Sequence, residues 1–120
     1  MEAILKKVSL NTYEIKKGEN KGKKFKKLDF TVDVLVDIKK GEIKTRTGSM
    51  SEDYARKYFA YVGLTTGEAL EKTVEVVLAK RQYEKDGEKR TIEFVKFLNF
   101  LDEAGSPIIM PKADTESIGF

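Results

Sequence analysis

Apolar and polar residues alternate along much of this chain with the two-residue period of β-strands. The longest example runs from Lys27 to Ile38, where every second side chain is apolar and the intervening ones are mostly polar. This pattern predicts a strand with one face in a core and the other in solvent. The predicted core residues of this strand are Leu28, Phe30, Val32, Val34, Val36 and Ile38.

A strand is also predicted on each side of this segment. Residues 4–10 alternate in the same way, and the change of pattern at Asn11-Thr12 indicates a bulge or bend before the strand resumes. After the turn at residues 39–42, a returning strand is predicted over residues 43–47, with Lys44 and Arg46 on one face.

The period changes to that of a helix after Ser51. Ser51 is a capping residue with two acids directly after it, and apolar residues recur at helical spacing as far as Gly63, which is placed to end the helix. Beyond it, residues 73–84 and 90–101 predict the two arms of a hairpin. Asp86-Gly87 lies between the arms and favours a tight reversal.

The predicted order is therefore three strands, one helix and two strands. This β-β-β-α-β-β order matches the OB-fold, a mainly β, five-stranded barrel that binds oligonucleotides, with its helix between strands three and four. Small β-sandwiches can use the same order. We expect one domain over residues 1–101, followed by a mostly irregular, acidic C-terminal tail over residues 102–120.

Composition narrows the class of function. The 120 residues include no cysteine and no histidine, so disulfides, thiolate zinc sites, cysteine nucleophiles and histidine bases are excluded. Asp29, Asp33 and Asp37 share one strand face, but their four-residue spacing is too long for them to share a metal ion. We therefore expect a protein that is not an enzyme and that binds no metal and no cofactor.

The chain contains no apolar run of the length needed to cross a bilayer, so no membrane partner is expected. The first residues lack the long apolar stretch of a signal peptide. Together these features predict a cytoplasmic protein.

Positive charge is concentrated in one segment. Residues 16–27 contain seven lysines and one glutamate around Phe25, a net charge of +6 in a chain whose total is +3. In an OB-fold the ligand lies across strands two and three, beside the loops that join strands one to two and four to five. The candidate nucleic-acid-binding residues on these elements are Lys16, Lys17, Lys21, Lys23, Lys24, Phe25, Lys27, Lys44, Arg46, Tyr83, Lys85, Lys89 and Arg90.

The cations would neutralise phosphates, while Phe25 and Tyr83 would stack on bases with little dependence on sequence. Each feature also has a plainer interpretation. The lysine segment would then be a solvated loop, Phe25 would cover the end of the barrel, and Tyr83 would pack against its hairpin partner. Tyr13 is a weaker stacking candidate. The other large aromatics are assigned to the core or to subunit contacts: Phe30, Tyr58, Phe59, Phe94 and Phe97.

The C-terminal end has the opposite sign of charge. Residues 101–120 contain four acids and one lysine and close with Ile118-Gly119-Phe120, which is either an ordinary terminus or a segment that a partner binds. With residues 23–38 and the strand–helix order, this ending resembles the small OB-fold single-stranded DNA-binding proteins, such as those of tailed bacteriophages. Bacterial members end in an acidic tip closing with Ile-Pro-Phe, which docks replication and repair proteins, and Gly119 takes the place of that proline.

The resemblance implies a sequence-tolerant protein that coats and protects single-stranded DNA during replication or recombination. It also implies a homo-oligomer, a dimer or tetramer, in the host cytoplasm if the chain is phage-encoded. Replication or recombination proteins would bind the tail at Asp114, Glu116, Ile118 and Phe120. Two alternatives stay open: a non-enzymatic β-barrel interaction protein, such as a phage-encoded structural or inhibitory protein, and an RNA-binding OB module.

Overall fold

A computed structural model of the protein describes residues 1–37 and 39–110. These residues form β1 (Glu2–Glu14), β2 (Lys24–Asp37), β3 (Glu42–Ser51), α1 (Glu52–Val62), α2 (Thr66–Ala69), β4 (Thr73–Lys85) and β5 (Glu88–Phe100). The mainly β class and the position of the main helix between β3 and β4 are as predicted. The four-residue helix α2 is an addition to the predicted order.

The five strands form one sheet that closes into a ring in the order β1-β2-β3-β5-β4. Antiparallel hairpins join β1 to β2, β2 to β3 and β4 to β5, and β1 also pairs with β4. The ring closes between β3 and β5, which run parallel and are paired, in the described part of the chain, only at Gly48 and Val95. The β2–β3 and β4–β5 hairpins therefore meet at a narrow seam.

Helix α1 begins and ends at the predicted residues. The hydroxyl of Ser51 accepts a hydrogen bond from the backbone N–H of Tyr54 at 3.2 Å, so one free donor of the first turn is satisfied. Gly63 adopts a φ of 83°, a left-handed conformation that favours glycine, and its N–H donates to the carbonyl oxygen of Phe59. Serine and glycine at these positions therefore fix both ends of the helix.

The core is built from side chains of four strands and both helices. β2 contributes its alternating residues, as predicted, and α1 contributes Ala55, Tyr58 and Phe59. β3 contributes no fully buried side chain among its residues; its positions on the core side include Lys44, Arg46 and Gly48. The buried residues are Ala3, Leu5, Leu28, Phe30, Val32, Val34, Ala55, Tyr58, Phe59, Ala69, Val74, Val76, Val95, Leu98 and Phe100.

Irregularities in strand pairing change which residues face the core. In β1 the register shifts between Leu5 and Lys7, so the predicted break at Asn11-Thr12 is wrong and the strand runs unbroken there. A second shift lies between Leu35 and Asp37 and leaves Val36 52% exposed, against the predicted burial. Ile38 lies outside the described residues. Within the described residues, the core face of β2 is therefore limited to the first four predicted positions, Leu28, Phe30, Val32 and Val34.

A third shift, opposite Val77 and Leu78, turns the end of β5. Val95 pairs with Leu78 and Phe97 pairs with Val77, which leaves Lys96 as the extra residue between them. Phe97 is 57% exposed as a result, so it does not belong to the core. Phe30, Tyr58 and Phe59 are buried, as predicted.

The chain after β5 returns to the core. Residues 102–106 form a tight turn in which the carboxylate of Asp102 accepts backbone hydrogen bonds from Ala104 and Ser106, both at 2.9 Å. Ile108 then donates its N–H to the carbonyl oxygen of Phe100 and packs with Met110 against the core. The tail is irregular up to residue 110, as predicted, but this part of it is attached to the ring.

Within residues 1–37 and 39–110, neither helix has the length and apolar character needed to cross a membrane.

Candidate nucleic-acid interface

A groove of about 680 Å³ lies across the solvent side of β1, β2 and β3 and is bounded by the β4–β5 hairpin. Hydroxyl side chains of the central strands line it, among them Thr31, Thr47 and Ser49. These residues alternate with the core positions of their strands, so the sheet presents its polar face to the groove. The groove is open to solvent.

In the described part of the chain, four cations and one acid line this groove: Lys7, Lys27, Arg81 and Lys96 against Asp29. Within the described residues, none of the four cations makes an ion pair. Their charges are therefore available to an anionic ligand. The groove lining thus carries a net charge of +3, as much as the whole chain, so positive charge is concentrated there.

Aromatic side chains form the wall of the groove next to the lysine segment. Tyr13 of β1 and Phe25 of β2 are direct cross-strand partners, and their rings stack with centroids 5.7 Å apart at an angle of 23°. The ammonium of Lys27 lies 5.5 Å from the Phe25 centroid and 5.8 Å from the Tyr13 centroid. Both rings remain about two-fifths exposed, so each keeps a surface on which a ligand can pack.

Asp29 is tied into the same wall by two donors. The Tyr13 hydroxyl donates to Oδ2 of Asp29, and Nδ2 of Asn11 donates to the same oxygen at 2.6 Å. The hydrogen bond to the carboxylate raises the pKa of Tyr13 above its ordinary value of 10.0, so the hydroxyl stays protonated as a donor. The contact fixes the Tyr13 ring beside Phe25.

The opposite wall is the groove side of the β4–β5 hairpin. Arg81 and Ile92 are cross-strand partners there, and the guanidinium of Arg81 lies 5.9 Å from the centroid of the Phe94 ring. Phe94 is half-buried in the groove wall and is not a core residue. Tyr83 follows Arg81 on the same side of the strand and is 41% exposed, so it extends this wall towards the hairpin tip.

The lysine segment forms the end of the β1–β2 hairpin beyond the groove. Its backbone is folded by hydrogen bonds from Ile15 to the carbonyl of Lys23 and from Gly22 to the carbonyl of Ile15. Within the described residues its lysines make no ion pair, and all of them are exposed except Lys27, which is half-buried. Those of the candidate set are Lys16, Lys17, Lys21, Lys23 and Lys24.

Lys44 and Arg46 lie away from the groove. They are the cross-strand partners of the buried residues Val34 and Val32, so they share the core side of the sheet. Both bind one carboxylate oxygen of Glu93 on β5, Lys44 Nζ at 2.6 Å and Arg46 Nε at 3.0 Å. These hydrogen bonds hold the pKa of Glu93 below its ordinary value of 4.5. The three charges bridge the seam between β3 and β5.

The candidates at the tip of the β4–β5 hairpin divide between its two sides. Lys85 and Arg90 share the side of Tyr83, and Arg90 lies 3.5 Å from the carboxylate of Glu88 in an exposed pair. Lys89 is the partner of Glu84 on the other side. Of the thirteen candidates, Lys27 alone lines the groove itself, and Phe25 contacts it there. The tail candidates Asp114, Glu116, Ile118 and Phe120 lie outside the described residues.

Several groove residues were not predicted as site residues from the sequence. Lys7, Arg81 and Lys96 are cations outside the lysine segment, and the sequence assigns Phe94 to the core or to subunit contacts. Arg81 could have been found from the alternation of β4, because it lies two residues from Tyr83 and therefore on the same side of the strand. The bulge that moves Lys96 into the groove has no comparable signal.

A second cleft, of about 430 Å³, lies between β1 and α1. Leu10, Ala55 and Phe59 give it an apolar lining, and Glu52 and Arg56 lie at its edge. This cleft is mainly apolar, whereas the groove across β1, β2 and β3, called the basic groove below, is lined by cations.

Within residues 1–37 and 39–110, no group of three or more acidic side chains is placed to hold a metal ion. Comparisons with protein-family models, with curated proteins and with solved structures find no match to this chain.

Proposed function

We propose that this chain is an OB-fold single-stranded DNA-binding protein, not an enzyme, that coats single strands during replication or recombination. The observation that carries the proposal is the basic groove: within the described residues, four cations that make no ion pair line one open channel together with Tyr13, whose ring stacks on Phe25. Such a combination suits a polyanion whose bases are exposed, because phosphates and bases each find a matching surface.

The strand arrangement supports the OB-fold part of the proposal. Two hairpins closed by a parallel contact between β3 and β5, with the main helix before β4, agree with a five-stranded Greek-key barrel. In such barrels the ligand crosses strands two and three between the two connecting loops. The groove has that position, with the lysine segment at one end and the β4–β5 hairpin along its side.

Binding would be divided between charge and stacking. Lys27, Arg81 and Lys96 would neutralise phosphates and release counterions, so affinity would fall steeply with salt. Phe25, Tyr13 and Tyr83 would pack on bases, a contact that accepts any base because every base has a π-face. Paired duplex bases offer no exposed faces, so a preference for single strands follows.

Other parts of the expected function remain predictions. Homo-oligomer formation and recruitment of replication or recombination proteins by the tail rest on the resemblance, and a cytoplasmic location rests on the apolar pattern of the sequence.

The test is a fluorescence-anisotropy titration with oligo(dT), oligo(U) and duplex DNA at several salt concentrations. The proposal predicts that single strands bind well above duplex and that log affinity falls linearly with log salt. Equal, feeble binding to all three would contradict it and favour the interaction-protein alternative. Tighter binding of oligo(U) than of oligo(dT) would favour the RNA-binding alternative.

Single variants separate the two contributions. Phe25→Ala should weaken oligo(dT) binding by about 1–3 kcal/mol while keeping the salt slope, because it removes a stacking face and no charge. Phe97→Ala is the matched control, since Phe97 is more exposed but does not line the groove. Lys23→Ala should lower both the affinity and the slope.

A further inference from the structure

Among the residues that the structure describes, Asp29 is the one acidic side chain that lines the basic groove. A carboxylate repels phosphates, so Asp29 cannot contribute to phosphate binding and must have another role in the groove. Both of its hydrogen-bond donors, Asn11 and Tyr13, converge on Oδ2. Within the described residues, no hydrogen-bond donor contacts Oδ1, which is left able to accept from a ligand.

The groove around Asp29 determines which part of a strand can approach it. Lys27 lies two residues away on the same face, and the stacked Tyr13 and Phe25 rings adjoin it. A base that packs on these rings would bring an edge, and not its phosphate, towards the carboxylate. Only a base edge that carries hydrogen-bond donors can satisfy a carboxylate oxygen, because a carboxylate accepts and does not donate.

We propose that Asp29 gives this otherwise sequence-tolerant groove a preference for guanine at one position, by accepting hydrogen bonds from guanine's Watson–Crick edge. Guanine carries two adjacent donors on that edge, N1–H and the N2 amine, and both can donate to the free Oδ1, because a carboxylate oxygen offers two lone pairs. Thymine carries a single N3–H between two carbonyl oxygens that repel a carboxylate. This inference rests on the proposed function, since it needs single-stranded DNA in the groove.

The test compares oligo(dT) with the same oligonucleotide carrying one central dG, one central inosine or one central dA. A single dG avoids the multistrand structures of G-rich DNA. The inference predicts about tenfold tighter binding for the dG oligonucleotide, on the scale of one good base contact. Inosine, which lacks the N2 amine, should fall between guanine and thymine.

Two variants locate the preference. Asp29→Asn keeps an oxygen for the Tyr13 hydroxyl but exchanges an acceptor for an amide, so the advantage of dG should disappear. Asp33→Asn is the matched control, because Asp33 shares this strand face but lies outside the groove lining, where it binds the hydroxyl of Thr45 at 3.0 Å. It removes the same charge and should leave the dG advantage intact.

Each outcome has a distinct meaning. Tight, salt-dependent binding of all four oligonucleotides with equal affinity would overturn the guanine preference and leave the proposed function standing. An advantage of dG that survives Asp29→Asn would overturn the role of Asp29. A preference for oligo(U) over oligo(dT) that Asp29→Asn abolishes would show that the carboxylate binds the ribose 2′-hydroxyl, and would also overturn the inference. Failure of every oligonucleotide to bind would contradict the proposed function itself.

Discussion

Gly48 of β3 and Val95 of β5 are the pair through which the two hairpins close into a ring. Their approach is close: a Cβ atom built on Gly48 would lie 2.7 Å from the carbonyl oxygen of Val95 and 2.7 Å from Cζ of Phe30. The contacted atom of Val95 belongs to the backbone and the Phe30 side chain is buried, so neither can move away freely. The seam that supports the groove therefore depends on the absence of a side chain at residue 48.

Gly48→Ala is expected to reduce the free energy of unfolding by about 1–3 kcal/mol, the usual range for overpacking a well-filled site. Urea denaturation followed by circular dichroism measures the change. Gly67→Ala is the matched control, because no atom lies within 4 Å of its built Cβ and its backbone imposes no left-handed conformation. Equal stability of the Gly48→Ala and wild-type proteins would show that the seam yields without cost.

Tyr58 links α1 to the end of β5 through its hydroxyl. The hydroxyl donates to the carbonyl oxygen of Ile108 at 2.7 Å and accepts from the N–H of Phe100 at 2.9 Å. Tyr58→Phe should cost about 1–3 kcal/mol of unfolding free energy, because a buried N–H loses its partner. The exposed Tyr61 gives the control, Tyr61→Phe, which should leave the urea midpoint unchanged.

Burial raises the pKa of Tyr58 from 10.0 to about 12. The unfolded chain therefore loses this proton at lower pH than the folded protein does. The resulting contribution to stability is complete below pH 10 and is lost as pH rises through about 12. The alkaline loss of stability should be shallower in Tyr58→Phe than in the wild type.

Glu93 predicts an acid-dependent change at the seam. Its pKa is held below the ordinary 4.5 by Lys44 and then Arg46, so its contribution to stability is present above that value. The contribution is lost as pH falls through the lowered pKa of the folded protein. Urea midpoints measured from about pH 6 to about pH 3 should therefore fall less in Glu93→Gln than in the wild type. A parallel fall in both proteins would contradict the role of Glu93, and Glu103→Gln, on an exposed turn, is the control.

Arg81 tests whether the second wall of the groove takes part in binding. Arg81→Ala should weaken oligo(dT) binding and reduce the salt slope by about 1, because one phosphate contact is lost. Arg56→Ala on α1 removes the same charge from a side chain that is 75% exposed and lies away from the groove. Equal effects of the two substitutions would indicate that only the net charge of the protein matters.

Local signals were sufficient to predict the hairpins and the helix. Ser51, Gly63 and Asp86-Gly87 act within a few residues of their own positions, so the ends of α1 and the turn between β4 and β5 could be read from sequence. The closure of the ring could not, because it depends on a single parallel contact between strands far apart in the chain. Nothing around Gly48 marks it as the closing residue.

The site was predicted less completely than the fold, for a reason that Lys44 and Arg46 illustrate. The sequence shows that they share a face, but only the pairing with Val34 and Val32 reveals that it is the core side. Lys96 reaches the groove because β5 is bulged at that residue. Charge density indicated the lysine segment, whereas the groove combines Lys27 of that segment with Lys7, Arg81 and Lys96, which strand geometry brings to it from β1, β4 and β5.

The most direct test of the central claim maps oligo(dT) onto the protein by nuclear magnetic resonance. Backbone amide shifts of isotope-labelled protein are followed as oligo(dT) is added. Binding in the basic groove predicts that the largest changes occur at Lys27, Thr31, Ser49, Arg81 and Lys96, with little change at Ala55 and Arg56 beside the apolar cleft. Changes centred on α1, or no saturable change at any residue, would contradict the account.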